Sequence, residues 1–153
     1  MELGTIERKV YVEASPEVVF DVVSSPEHLR QWWPDEAQYE PVPGSTGEIV
    51  FGERGAGGKV VSFTVVDVQP PRSFSFRWTQ PSGEEAVAGN SLLVTFRLTP
   101  SGDGTVLTMT ETGFREMGWE LAAVEREYRD HVTGWDFFLP RLTTYVAQLE
   151  VRP

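Results

Sequence analysis

The sequence predicts an α+β fold in which a curved antiparallel sheet of about six strands wraps a long C-terminal helix, with two short helices after the first strand. Three observations carry this reading. Leu121, Val124, Tyr128, His131, Trp135, Phe138, Leu142, Tyr145 and Leu149 follow one another at alternating steps of three and four, which puts them on one helical face. Between residues 48 and 113, short aromatic-rich runs alternate apolar with polar side chains, the period of strands with one buried face. Ser-Pro-Glu occurs twice near the N-terminus, and each copy has the signature of a helix start.

The elements follow in order. Residues 5–13 (TIERKVYVE) read as the first strand, with Ile6, Val10 and Val12 on the apolar side. Ser15-Pro16-Glu17 and Ser25-Pro26-Glu27 place Ser at the N-cap, Pro in the first turn and Glu by the positive helix end, predicting helices over about 16–24 and 26–33. Pro34 stops the second. Pro41, Pro43 and Gly44 make 35–46 a loop, and a short strand follows over 48–53 with Ile49 and Phe51 on one side.

Gly55-Ala56-Gly57-Gly58 lacks the following helix and acidic ribose partner of a phosphate-binding loop, so it reads as a hairpin tip. Residues 59–69 form a β-branched strand with both faces apolar, whose inward face the pattern does not fix. In the next strand Phe74, Phe76 and Trp78 alternate with polar residues. A polar loop from Gln80 to Gly89 leads to a strand with Leu92, Val94, Phe96 and Leu98 on one face, and after a turn at 100–104 the last strand points Leu107 and Met109 inward. The final helix spans 119–149. Its stripe suits packing on a sheet better than a coiled-coil seam, because Tyr128, His131 and Trp135 make poor knobs. About thirty residues at roughly 1.5 Å each would overrun a domain of this size, so a break or kink is expected at Gly134 or Pro140.

Composition narrows the function. The 153 residues suit one domain with a core that needs no staple. Without cysteine, disulfides, thiolate catalysis and cysteine-ligated zinc are excluded. A net charge of −10 with no basic run argues against nucleic acid and anionic membrane surfaces. No apolar run would span a bilayer, and Met1-Glu2-Leu3-Gly4 lacks the features of a secretion signal, so a cytoplasmic location is expected. Neither a cofactor nor a metal is expected: the two histidines form no zinc pattern, and His28 reads as a surface or helix-start residue.

Glu111 has the parity of Leu107 and Met109, so its carboxylate points toward the concave face if the strand keeps its period, and His131 points there from the helix stripe. Two readings stand open. The residues meet as a buried pair able to hold a polar group or move a proton, or Glu111 ends the strand in water and His131 is a satisfied, half-buried histidine.

The order of elements resembles the helix-grip fold of the START-related (SRPBCC) ligand-binding superfamily, and more narrowly the branch named after the activator of the heat-shock protein 90 ATPase. The likeness rests on VYVEASPEVVFDVVSSPEHLRQWWP at 10–34, VVDVQPPRSFSFRW at 65–78, GDGTVLTMTETGF at 102–114 and GWDFFLPRL at 134–142. It implies a hydrophobic cavity between sheet and helix. The family's tryptophans match Trp32 or Trp33, Trp78 and Trp135, while no shared catalytic residue exists to carry over. Pro140 departs from the helix-friendly residue usual there, and the chain leaves no room for the separate N-terminal domain of the eukaryotic co-chaperone.

The leading expectation is a module that binds an apolar, aromatic or lipid-like small molecule. Its ligand-binding candidates are Trp32, Trp33, Phe51, Phe74, Phe76, Trp78, Phe96, Met109, Glu111, His131, Trp135 and Phe138. The alternatives are a co-chaperone acting on a chaperone partner, and an enzyme of the polyketide-cyclase or dehydratase kind with Glu111 and His131 as its catalytic candidates.

Overall fold

A computed structural model describes residues 4–53, 57–81 and 83–151, with side chains through Leu149. The signal reading at Met1–Leu3 and the Gly55-Ala56 part of the hairpin tip lie outside these residues. Seven strands, β1 (Thr5–Val12), β2 (Glu36–Gln38), β3 (Thr46–Phe51), β4 (Lys59–Gln69), β5 (Ser73–Trp78), β6 (Leu92–Ser101) and β7 (Gly104–Thr112), make one antiparallel sheet in the order β1-β7-β6-β5-β4-β3-β2. Helices α1 (Pro16–Ser24) and α2 (Pro26–Trp32) follow β1, and α3 (Leu121–Val151) closes the fold. This is the helix-grip arrangement.

Local sequence explains most boundaries. Ser15 Oγ accepts a hydrogen bond from Val18 N at 3.3 Å and caps α1. Ser25 holds the same extended backbone before α2, but its side chain makes no cap bond. The seventh strand, β2, is the addition to the expected set. Three residues of the supposed 35–46 loop pair with β3, and Asp35 Oδ2 accepts from Gly52 N at 2.6 Å, fastening that edge. Strand β4 hid its inward face because its register shifts between Val65 and Asp67. Val61, Phe63 and Val65 are buried before the shift, and Val68 stands opposite Phe74 after it, leaving Val66 exposed.

Helix α3 runs unbroken through Gly134 and Pro140, where a break or kink had been expected. Both Asp136, whose carbonyl loses the hydrogen bond that Pro140 cannot donate, and Pro140 lie on the exposed face, open to solvent. Thr143 and Thr144 hydroxyls donate to the Pro140 carbonyl at 2.8 and 3.2 Å. The buried stripe differs from the predicted one at its start, since Leu121 is 73% exposed, and it gains Leu139 and Val146. A continuous helix of 3.6 residues per turn drifts slowly around its axis, so one face is shared by neighbouring positions such as 138 and 139.

Two contacts hold α3 to the sheet edge: Tyr128 Oη donates to Thr5 O at 3.0 Å, and Arg8 Nε donates to Asp136 Oδ1 at 2.8 Å. The bond to Asp136 raises the Arg8 pKa.

Candidate functional site

Strand β7 delivers Glu111 to the concave face between Ile6 of β1 and Val94 of β6, and the carboxylate is fully buried. Its surroundings account for its presence there. Trp135 Nε1 donates to Oε1 at 2.8 Å, Trp78 Nε1 donates to Oε2 at 2.8 Å, and His131 Nδ1 lies 2.9 Å from Oε1. An indole nitrogen only donates, so both carboxylate oxygens are acceptors, and the network assigns the His131 proton to Nδ1. In the neutral ring Nε2 is then the acceptor. The buried pair is therefore formed, and the alternative of a solvated Glu111 is set aside by its burial.

The helix spacing that put His131 and Trp135 on one face lets them reach the same oxygen, one turn apart. Phe114, fully buried after β7, meets the His131 ring edge-on at 5.3 Å, and Trp78 lies 5.3 Å from it on another side. The sequence reading passed over Phe114, whose place just after a strand end carries no periodic signal.

The other candidates sort into two groups. Trp33, Phe51, Trp78, His131, Trp135 and Phe138 surround a hollow of about 100 Å³ between sheet and helix, joined by Asp130 and Gly134. Trp33 lies in its wall, stacked on Trp135 at 5.1 Å and edge-on to Trp78 at 4.9 Å. Trp32, Phe74, Phe76, Phe96 and Met109 are fully buried but do not line the hollow; they form its backing, as where Phe96 meets Trp135 edge-on at 6.2 Å. Glu111 lies beneath the wall, hydrogen-bonded to three of the residues that line it, Trp78, His131 and Trp135. The hydrophobic cavity implied by the resemblance is thus, at this point, a small hollow walled by aromatic rings.

A second hollow of about 300 Å³ opens on the other side of His131, lined among others by Val61, Ser62, Thr79, Gln80, Leu92 and Trp119. Thr79 has a φ of 71°, the left-handed region that a β-branched residue rarely enters and that costs roughly 1–3 kcal/mol. Alternation had assigned Thr79 to the polar face of β5 and Gln80 to a loop. Nothing in the sequence signals the turn of backbone that brings both to this wall.

His28, read as a surface or helix-start residue, lies in the first turn of α2 and is half-buried, with Nδ1 2.7 Å from Tyr145 Oη. Among the described residues no group of three His, Cys, Asp or Glu side chains could hold a metal, and no helix is long and apolar enough to cross a membrane.

Several solved structures share this architecture. Protein MLL2253 from Mesorhizobium loti superposes with a TM-score of 0.73 at 22% identity, covering 94% of this chain and 97% of that one. The Aha1 dimer from Colwellia psychrerythraea gives 0.65 at 22% identity, with 91% and 92% covered. DynU16, a protein of the dynemicin biosynthetic locus, gives 0.68 at 23% identity, covering 94% of this chain and 47% of that one. At such identities the likeness speaks for the fold. No curated protein matches the chain. The sequence model of one family, described as "Activator of Hsp90 ATPase homolog 1-like protein", matches residues 13–147. With that match over most of its length, and with the helix-grip architecture beneath it, the chain belongs to the activator of Hsp90 ATPase homolog 1-like family of the START-related superfamily.

Proposed function

We propose that this protein binds a small, largely apolar molecule beside His131, in the hollows between the sheet and α3. The observation that carries the reading is the Glu111 network. A fully buried carboxylate with indole donors on both oxygens fixes the orientation of a histidine whose ring lines both hollows. Burying that carboxylate is costly, and a hydrocarbon core would be simpler if packing were the only demand. The smaller hollow, with aromatic walls and Asp130 and His131 as its polar side chains, has the usual composition of a small-molecule site. The volumes favour a compact one- or two-ring molecule over an extended lipid, since a dry cavity of about 150 Å³ accommodates benzene.

Native mass spectrometry of the protein purified from its own host tests the reading, with denaturing extraction of what travels with it. A compound of one or two rings is expected, and Phe138→Ala should reduce its occupancy. An empty protein whose tryptophan fluorescence also ignores added naphthalene derivatives would refute the proposal and move weight to a chaperone partner, tested by the chaperone ATPase rate.

A second reading is favoured by one detail. A histidine with Nδ1 held by a carboxylate and Nε2 open is arranged as a general base, so a ligand with an acidic proton could be turned over. In that case Glu111→Gln would depress kcat more than it weakens binding.

A further inference from the structure

The larger hollow contains a polar feature that the reading above does not use. Gln80 is 6% exposed, and its Nε2 donates to Thr64 Oγ1 at 2.7 Å, which leaves Oε1 as an acceptor. That oxygen and Thr79 Oγ1 are buried without a hydrogen-bond partner among the described residues. Buried polar atoms are nearly always paired, so each orphan needs an explanation. Both residues lie in the wall of the hollow, a space from which a partner can come, and Gln80 also borders a cleft beside β2 and β3. The left-handed backbone at Thr79, whose N–H donates to Ser62 O at 3.1 Å, adds to the case, because strain of that kind gathers at ligand clamps. Val61, Leu92 and Trp119 give the hollow apolar lining, Lys59 and Glu127 border it as well, and His131 is shared with the aromatic hollow.

We propose that this wall is a specificity subsite for a hydrogen-bond donor on the bound molecule, a hydroxyl or N–H received by Gln80 Oε1 with Thr79 Oγ1 as the neighbouring partner. The inference rests on the small-molecule reading of the same site and adds the ligand's chemical class: an apolar ring frame bearing a donor, in preference to a pure hydrocarbon or an ether. A site with an unsatisfied acceptor discriminates against a ligand that cannot donate, since that ligand leaves the acceptor buried and unpaired.

Naphthol and its methyl ether make the test, because they share the ring frame and differ in the donor. Calorimetry and tryptophan fluorescence on the full chain should give naphthol an affinity about tenfold higher than the ether, the value of one well-made hydrogen bond. Gln80→Leu should erase that preference, so that the two probes bind alike. If Gln80→Leu does not fold by near-ultraviolet circular dichroism, Gln80→Met and Thr79→Val take its place. Equal binding of the two probes by the parent would overturn the subsite, with water serving the oxygens, and leave small-molecule binding intact. A preference that survives the substitutions would also overturn it, by placing the donor elsewhere. Binding of neither probe would overturn both the subsite and the reading on which it rests.

Discussion

Replacing Glu111 with leucine tests the central network. Two effects oppose. Leucine relieves the desolvation of a buried carboxylate, worth several kcal/mol. It also strands the Trp78 and Trp135 indoles and the His131 Nδ1–H, all aimed at a site with no solvent, at about 1–3 kcal/mol for each unpaired donor. Because three donors lose one acceptor, the second effect wins. The expected loss is about 3–5 kcal/mol, the range seen when one partner of a buried pair is removed, out of a total stability of about 5–15 kcal/mol. For a chain of this size that lowers Tm by about 6–20 °C. Urea unfolding followed by tryptophan fluorescence measures it. Adding Trp78→Phe and Trp135→Phe to the leucine variant removes two donors along with their acceptor, so the combined loss should fall short of the sum of the single losses by at least about 1 kcal/mol. A leucine variant within about 1 kcal/mol of the parent, or strict additivity, would refute the argument that Glu111 is held by these donors.

Three further outcomes are expected. Arg8→Ala should cost only about 0.2–1 kcal/mol and less at high salt, because Arg8 and Asp136 are 36% and 54% exposed and solvent screens the pair; denaturation at two salt concentrations checks it. Burial pushes the Tyr39 pKa up, with its hydroxyl donating to Ser24 O at 2.7 Å. The folded state then holds a proton that the unfolded chain loses above about pH 10, so this contribution is complete below that pH and declines as pH rises beyond it. Tyrosinate absorbance should show one of the four tyrosines ionising only on alkaline unfolding. Gly47→Ala would push a methyl into the Gln38 carbonyl of β2, so it should destabilise by about 1–3 kcal/mol and speed hydrogen exchange at the β2 amides, whereas unchanged exchange would mean that β2 moves freely with its neighbour.

What the sequence made legible followed from period and caps. Alternation in β5 and β7 depends only on local backbone, so Phe74, Phe76, Trp78 and even the inward parity of Glu111 could be read directly. The α3 stripe placed His131 and Trp135 for the same reason. The misses arise where tertiary geometry overrides local pattern. The register shift in β4 erased its alternation, and the pairing of Glu36–Gln38 depends on an edge supplied by β3. At Thr79 a left-handed turn brought a residue expected on the outer face, and Gln80 expected in a loop, to the wall of the larger hollow. Cavity size was beyond reach because it is a difference between large volumes: the same aromatic residues that announced a ligand site are also its walls.

Trp33 is the residue that sets this limit, and replacing it separates the two ligand classes that composition left open. It follows the last turn of α2 and is 5% exposed, with the rings of Phe51, Phe76, Trp78 and Trp135 all centred within 5.8 Å of its own. Trp33→Ala removes an entire indole from the middle of that cluster. The cost is about 3–5 kcal/mol, which leaves a marginal but folded chain if the parent lies in the usual range, and the vacated volume adjoins the hollow of about 100 Å³. The variant should then accept a long-chain alcohol that the parent excludes, while both still bind a naphthalene derivative. Competition between the two probes, read by calorimetry, measures the change. Equal uptake of the alcohol by the parent would mean that Trp33 swings aside at little cost, and the argument from volume for a compact aromatic ligand would fail with it.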